Sequence, residues 1–286
     1  MSLLRTVAIG EAEAQLAEFL DYCRQHGAEH DESYLPPGEP YRERAGEPGY
    51  LLLDGDRVAG AVSLFRGPRF RGRFRIFHSV LCTLEAYTLM WEAIYTHTSD
   101  LERVYLFLPE ALTRVRGFLE QLGFWVQRYA WAMEKTSPPT PSGWMPGYQV
   151  RPLRVGVDEG AWCQGINAAF KEAYVGRADL MPEYLPGPGD GVMLMLYHED
   201  TPVGTLAVSP ESPGTAELGN LAILPSYQGR GLGTNLLREG MATATGMGLT
   251  TMVLSVAADN PATVQLYLRE GFAKLHTMVC YSRELT

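Results

Sequence analysis

Apolar residues follow two alternating spacings along the chain, and their order predicts a mixed α/β architecture. Residues 216–224 form an apolar run that is bounded by Pro225. After it, apolar residues recur every three or four positions, namely Leu232, Leu236, Leu237, Met241 and Ala244. A short apolar run predicts a buried strand, and the later spacing predicts a helix with one apolar face. We therefore expect a strand, a tight turn, a glycine loop and a long helix that begins near Gly231.

The same order of elements occurs in the first half of the chain. Residues 105–124, YLFLPEALTRVRGFLEQLGF, align without a gap with residues 253–272, VLSVAADNPATVQLYLREGF. Strand falls on strand, helix on helix, and Gly123-Phe124 on Gly271-Phe272. Internal similarity of this kind indicates a tandem duplication of one fold.

This repeat predicts the domain organisation. We expect a first domain at residues 1–135, a proline-rich linker at 136–147 and a second domain at 148–286. The linker, TSPPTPSGWMPG, should form a stiff, extended connector. Each domain is expected to be α+β, with helices on both faces of a mixed sheet.

The glycine loop has the composition of an anion-binding site. Its sequence is Gln228-Gly229-Arg230-Gly231-Leu232-Gly233. The first amides of a helix have no intrahelical acceptor, and the helix dipole places partial positive charge there. Glycines allow a ligand to approach the backbone closely. A pyrophosphate is therefore expected on the amides of Gly229 to Thr234, with the Thr234 hydroxyl as a further donor.

The order of residues in this loop narrows the class of ligand. It is Q-x-x-G-x-G after a strand that ends in I-L-P, which is neither the dinucleotide-binding order nor a P-loop. It resembles the acetyl-CoA signature of the GCN5-related N-acetyltransferases (GNAT). The segment 254–261, then Tyr267 and Gly271-Phe272, resemble the strand, asparagine, tyrosine and final turn of that family.

The resemblance implies two tandem acyl-CoA N-acyltransferase (GNAT) folds, with acetyl-CoA as co-substrate and no metal. In this family the pantetheine arm pairs with the backbone of the strand that precedes the glycine loop. The residues that would contact the coenzyme are Leu221, Ala222, Ile223, Gln228, Gly229, Arg230, Gly231, Leu232, Gly233, Thr234, Asn260 and Tyr267.

Direct attack of an amine on the thioester requires an acid and a base. The position of Tyr267 matches that of the family's tyrosine acid, although its helix face also suits core packing. Glu217 is the candidate base, because A-E-L-G-N-L-A-I resembles the stretch in which several members carry a glutamate. A carboxylate next to an apolar centre would have a raised pKa. The alternatives for Glu217 are an exposed strand-edge charge and a water chain in its place.

The acceptor is expected to be a primary amine of a small molecule that enters opposite the coenzyme. Tyr174, Arg177 and Tyr184 could line its pocket, or simply pack in a loop or face solvent. The tandem arrangement is also similar to that of the mycothiol synthases, but this resemblance does not transfer a substrate. A peptide or protein acetyltransferase and a coenzyme-A-binding regulatory module without catalysis remain alternatives.

The first copy differs where the chemistry would lie. No glycine loop precedes its helix at Thr83, and the counterparts of Asn260 and Tyr267 are Leu112 and Leu119. We predict that this copy is a degenerate, non-catalytic domain.

The composition of the chain argues against several classes of function and identifies none. The 286 residues are 46% hydrophobic with a net charge of -9, which argues against a nucleic-acid partner. That charge favours an amphipathic strand over a nucleic-acid surface for the arginine- and phenylalanine-rich segment 65–75. Four scattered cysteines predict reduced thiols rather than a zinc site. No membrane span or signal segment is evident, so we expect a cytoplasmic monomer or homodimer.

Overall fold

The computed structural model describes residues 4–30, 46–67, 70–170 and 191–285. The chain divides into two compact units. The first comprises Met1–Ala130 and His276–Thr286, and the second comprises Trp131–Leu275. None of the described helices is long and apolar enough to cross a lipid bilayer.

The first unit is built on a sheet in the order β1-β2-β3-β4-β5, and residues Met278–Glu284 of β12 pair with β5. Neighbouring strands are antiparallel except β4 and β5, which are parallel. The strands are β1 (Leu4–Ala8), β2 (Gly49–Asp54), β3 (Arg57–Gly67), β4 (Arg71–Ser79), β5 (Arg103–Pro109), β6 (Trp125–Lys135) and β12 (Ala273–Glu284), and the helices are α1 (Leu16–Gln25), α2 (Leu84–Tyr95) and α3 (Thr113–Gln121).

Helices cover both faces of this sheet. The large core on one face joins α2 and α3 to the strands, with Tyr87, Met90 and Leu119 fully buried. On the other face, Phe19, Tyr22 and Cys23 of α1 pack on β2, β3 and β4. The alternation of buried positions along each strand supplies these two apolar faces.

The second unit repeats this plan. Its strands run in the order β11-β10-β9-β8-β7, with the end of β6 beside β11. The β10–β11 pair is parallel, and the pairs β10–β9, β9–β8 and β8–β7 are antiparallel. The strands are β7 (Tyr148–Pro152), β8 (Val192–His198), β9 (Thr201–Ser212), β10 (Thr215–Ile223) and β11 (Thr251–Ala257), and the helices are α4 (Glu159–Ala169), α5 (Leu232–Gly246) and α6 (Pro261–Arg269).

Two cores lie on opposite faces of the second sheet. The larger contains Leu232, Leu236 and Met241 of α5 together with α6 residues. The smaller contains Trp162, Cys163 and Ile166 of α4 and Ala222 of β10, among others. The predicted apolar stripe of the long helix therefore forms its buried face.

Three local features adjust the simple picture of two repeated domains. Pro109 ends β5, and α3 begins four residues later at Thr113. The last strand does not lie wholly with the second unit, because residues from Met278 pair with β5 of the first. Residues of the proline-rich segment contact α5, since Asn235 exchanges hydrogen bonds of 3.1 and 2.8 Å with the backbone of Gly143.

Candidate acyl-transfer site

Parallel strands β10 and β11 separate in the middle of the second unit. Their ladder pairs Thr215–Glu217 with Thr251–Val253, whereas both strands continue, to Ile223 and Ala257. Beyond Glu217, β10 keeps its antiparallel partner β9 on its other side. The backbone of residues 221–223 therefore lies beyond the end of the β10–β11 ladder. We call this place, where the ladder ends, the fork.

A β-bulge just beyond the fork re-aims the end of β10. The register against β9 shifts between Gly219 and Ala222, and Asn220 has a left-handed φ of 53°. The hydroxyl of Thr205 donates a 2.9 Å hydrogen bond to the Asn220 carbonyl, which holds this conformation. An extra residue in one strand changes which side chains face the core. As a result Ala222 packs towards α4 while Ile223 packs towards α5.

The glycine loop leads from this strand into α5. A single turn at Pro225–Tyr227 follows β10, and the Gln228 side-chain amide donates to the Ile223 carbonyl at 2.8 Å. Gly229 and Gly231 both have φ of 75°, a conformation that other residues adopt at a cost. These two glycines are needed because the chain must reverse direction in order to enter the helix.

Gly231 is the N-cap of α5 and offers no side-chain cap hydrogen bond. The amides of the first turn, which have no intrahelical acceptor, therefore lack a side-chain partner at the cap position. A Cβ at Gly229 or Gly231 would meet no atom within 4 Å, so the space beside both residues is open. This arrangement suits an anionic group, because unsatisfied amides and the helix dipole both favour negative charge.

The other predicted contacts of the coenzyme have defined partners. Arg230 donates to the Ser226 carbonyl at 3.0 Å and lies over the Tyr227 ring. Asn260 is the N-cap of α6, and its side-chain oxygen accepts from the Thr263 amide at 3.2 Å. The Asn260 side chain thus has a structural task in capping the helix that carries Tyr267.

Tyr267 is 6% exposed and packs against Phe272, with ring centroids 5.7 Å apart. Among the described residues its hydroxyl has no hydrogen-bond partner. Burial raises the pKa of Tyr267 to about 12, so the side chain keeps its proton over the physiological range. Both sequence-based interpretations apply to this residue, because its ring belongs to the core and its hydroxyl is a protonated donor.

Glu217 occupies the last ladder position before the fork, opposite Val253. Its side chain is exposed, whereas the neighbouring Ala216 and Leu218 point into the core. Glu217 is therefore on the exposed side of the strand and not in the apolar core. Its candidacy as the base is supported by its position at the end of the ladder.

Tyr174, Arg177 and Tyr184, the predicted lining of the acceptor pocket, lie outside the described residues. One contact between α5 and α6 that positions the site was not predicted from the sequence. Arg238 of α5 forms two hydrogen bonds, 2.8 and 2.7 Å long, with the Glu270 carboxylate at the end of α6. This ion pair ties the helix of the glycine loop to the helix of Tyr267, and only 7% of the Glu270 side chain is exposed.

Residues 164–272 match the model of the Acetyltransferase (GNAT) family, and this range contains the fork, the glycine loop and Tyr267. The matched segment runs from within α4 to the turn that follows α6, and so lies in the second unit. The loop Gln228–Thr234 and the helix that follows it are thus placed inside the matched segment, as the sequence resemblance predicted.

Solved structures extend the GNAT fold to the whole chain. A GCN5-related N-acetyltransferase from Sphaerobacter thermophilus superposes with a TM-score of 0.72 and 21% identity, over 99% of this chain and 95% of its own. A tandem GNAT protein from the clavulanic acid biosynthesis pathway has a TM-score of 0.71 and 14% identity, over 99% and 98%. The predicted fold class, two tandem GNAT folds, is confirmed by this likeness.

Curated relatives match a smaller part of the chain. The mycothiol acetyltransferase of Saccharopolyspora erythraea is 31% identical over 144 residues, 48% of each chain. The enzyme of Paenarthrobacter aurescens is 31% identical over 175 residues, 56% of this chain and 54% of its own. The chain therefore spans about half the length of the curated relatives it matches.

Proposed function

We propose that the second unit is an N-acetyltransferase that binds acetyl-CoA along the fork and at the start of α5. The observation that supports this most strongly is the N-terminus of α5. This helix begins at a left-handed glycine without a side-chain cap, 14 residues after the last position at which β10 pairs with its parallel partner. The diphosphate would bind the amides of Gly229 to Thr234, and the pantetheine arm would pair with the backbone of Leu221, Ala222 and Ile223.

The acetyl group passes directly to a primary amine of a small molecule. The amine lone pair forms the new C–N bond, and the C–S bond of the thioester breaks. Glu217, or a water next to it, takes the proton that the amine loses, and Tyr267 gives a proton to the departing thiolate. The raised pKa suits this task, since it keeps the Tyr267 hydroxyl protonated and therefore able to donate.

A more specific acceptor is favoured by the names of the curated relatives. Two mycothiol acetyltransferases share 31% identity with this chain. We therefore include the cysteinyl amine of a thiol–sugar conjugate as the second candidate acceptor. The general proposal of a small amine does not depend on this choice.

The first unit is proposed to be non-catalytic. The helix α2 stands in the position of α5, but its N-cap is Thr83, whose hydroxyl accepts from the Ala86 amide at 3.3 Å. The place of an anion is thus partly taken by a side chain. Leu119, the counterpart of Tyr267, is fully buried and supplies no proton.

The test is an acceptor screen on the full chain that follows free thiol released from acetyl-CoA. The panel should contain cysteinyl thiol–sugars, polyamines, amino sugars, amino acids and a peptide with a free amine. We expect turnover with at least one small amine. Coenzyme binding without turnover on any acceptor would favour a regulatory module, and turnover on the peptide alone would replace the small-molecule proposal.

A further inference from the structure

Three potential metal ligands meet on the α1 face of the first unit. His26 directly follows α1, Glu29 lies in the next turn, and His78 is on β4. One potential ligand atom from each residue lies within 4.8 Å of the others. The acyl-transfer site of the second unit uses none of these residues.

The distances between these atoms are close to those of a bound metal. The Glu29 carboxylate has one oxygen 2.9 Å from Nδ1 of His26 and the other 3.2 Å from Nε2 of His78. A tetrahedral zinc ion with bonds of about 2.0–2.1 Å separates neighbouring ligand atoms by about 3.3 Å. The three ligand atoms lie within 4.8 Å of one another, so side-chain rotation has to bring the two histidine nitrogens closer before all three groups bind one ion.

A buried tyrosine fixes the ring of His78. The Tyr22 hydroxyl lies 2.6 Å from Nδ1 of His78 and 3.2 Å from the carbonyl oxygen of the same residue. When that hydroxyl donates to the carbonyl, Nδ1 donates to Tyr22 and Nε2 presents its lone pair towards Glu29. Ligating histidines are commonly held through their second nitrogen in this way.

We propose that His26, Glu29 and His78 form a binding site for a divalent transition metal of the zinc class. Two imidazoles and one carboxylate are a donor set that zinc accepts. The His78 side chain is 5% exposed, but those of His26 and Glu29 are 22% and 39% exposed. A water molecule can therefore reach the ion as a fourth ligand.

The proposed ion would cross-link the segment after α1 to β4. The His26 ring lies 4.8 Å from the His78 ring, and a Glu29 carboxylate oxygen lies 3.2 Å from Nε2 of His78. The ion would add metal–ligand bonds to these contacts between the end of α1 and the sheet. This inference does not rest on the proposed acetyl transfer, because it concerns the other unit and a separate set of residues.

The test uses the full chain without a histidine tag, freed of metal by a chelator. Zinc affinity is measured by competition with a chromophoric chelator, and cobalt(II) serves as the spectroscopic probe. We expect one ion per chain, the visible absorption of four-coordinate cobalt, and a higher unfolding temperature with zinc than without it. Absence of stoichiometric binding would overturn the proposal.

Variants locate the ion. Glu29→Gln and His26→Ala should each weaken zinc binding at least about tenfold, and Tyr22→Phe should weaken it about 10- to 100-fold. The matched control is His276→Ala, an exposed histidine outside the cluster, which should bind zinc like the parent. Full affinity in Glu29→Gln, or a cobalt spectrum with thiolate charge transfer, would assign the ion to other groups and reject the site.

Discussion

The two units start equivalent helices in different ways, and this difference underlies the proposal that only the second unit binds the coenzyme. In the first unit α2 begins at Thr83, whose side chain closes the helix N-terminus through the Ala86 amide. In the second, α5 begins at Gly231 with φ of 75° and no side-chain cap. A capped N-terminus favours stability, whereas an uncapped one leaves amides available to a ligand.

The framework around these helix starts is the same in both units. Strands β4 and β5 are parallel over Arg71–Arg73 and Arg103–Tyr105, as β10 and β11 are over three positions. In the ungapped alignment Tyr105 corresponds to Val253, so the ladders end at equivalent residues and Arg73 stands where Glu217 does. The sheet was therefore conserved between the copies while its charged and polar positions were not.

The helices after the fork show the same relation. Both α3 and α6 end in a left-handed glycine, Gly123 with φ of 81° and Gly271 with φ of 87°. The amide of the next phenylalanine bonds the carbonyl of Leu119 in one copy and of Tyr267 in the other, at 2.9 and 3.0 Å. Because the backbone is equivalent, the hydroxyl of Tyr267 is an added chemical group rather than a requirement of the fold.

Tyr267→Phe tests that conclusion and should have the largest effect. We expect kcat to fall about 100-fold or more, because a general acid contributes about 10²–10⁴ to the rate. Coenzyme affinity and the unfolding temperature should change little, since the ring remains in the core. With the pKa of Tyr267 raised to about 12, the parent enzyme should lose this acid only as the pH approaches 12. Unchanged turnover in the variant would leave Tyr267 with packing alone.

Gly231→Asp would give the second unit a closed helix start like that of the first. The carboxylate should repel a diphosphate, although the left-handed φ of 75° at this position also strains the backbone. We expect coenzyme A affinity to fall about 100-fold, or about 2.7 kcal/mol. The matched control is Thr83→Asp, which places the same charge at the start of α2 and should leave affinity unchanged. Equal losses in both variants would remove the distinction between the units.

Glu217→Gln examines the position where the first copy has Arg73. We expect kcat/KM to fall about tenfold with coenzyme affinity retained, a modest loss because a water at the exposed side chain can still accept the proton. Steady-state kinetics with saturating acetyl-CoA measure the effect. A variant as active as the parent would assign proton removal to a water chain without Glu217.

Glu270→Gln should loosen the contact between α5 and α6. The Arg238–Glu270 pair is mostly buried on the Glu270 side, and loss of one partner leaves Arg238 without its bidentate acceptor. We expect a loss of about 1–3 kcal/mol in the free energy of unfolding, measured by urea denaturation. The surface variant Glu284→Gln is the control, since that side chain is 45% exposed in its pair with Arg103. Equal small losses in the two variants would show that the pair does not position the helices.

The sequence could predict the features of the site that are local in the chain. The glycine loop, the helix start near Gly231 and the register of the repeat depend on neighbouring residues and appear where they were expected. Glu217 lies in the expected strand, and its exposure, one of the alternatives considered, follows from its alternation with the buried Ala216 and Leu218.

Contacts between distant residues could not be read in this way. The pairing of β12 with β5 joins residues about 170 positions apart, and the docking of the linker on α5 joins Gly143 to Asn235. The cluster of His26, Glu29 and His78 also requires two separate elements to meet. Such contacts are set by the packing of the whole unit, which no single stretch of sequence specifies.

Calorimetric titration of the full chain with coenzyme A tests the central claim most directly. If only the uncapped helix start of α5 binds the diphosphate, the titration should show one site per chain, and Gly231→Asp should weaken that site about 100-fold. Two equivalent sites per chain, or one site whose affinity is unchanged in Gly231→Asp, would contradict the claim that the second unit alone binds the coenzyme.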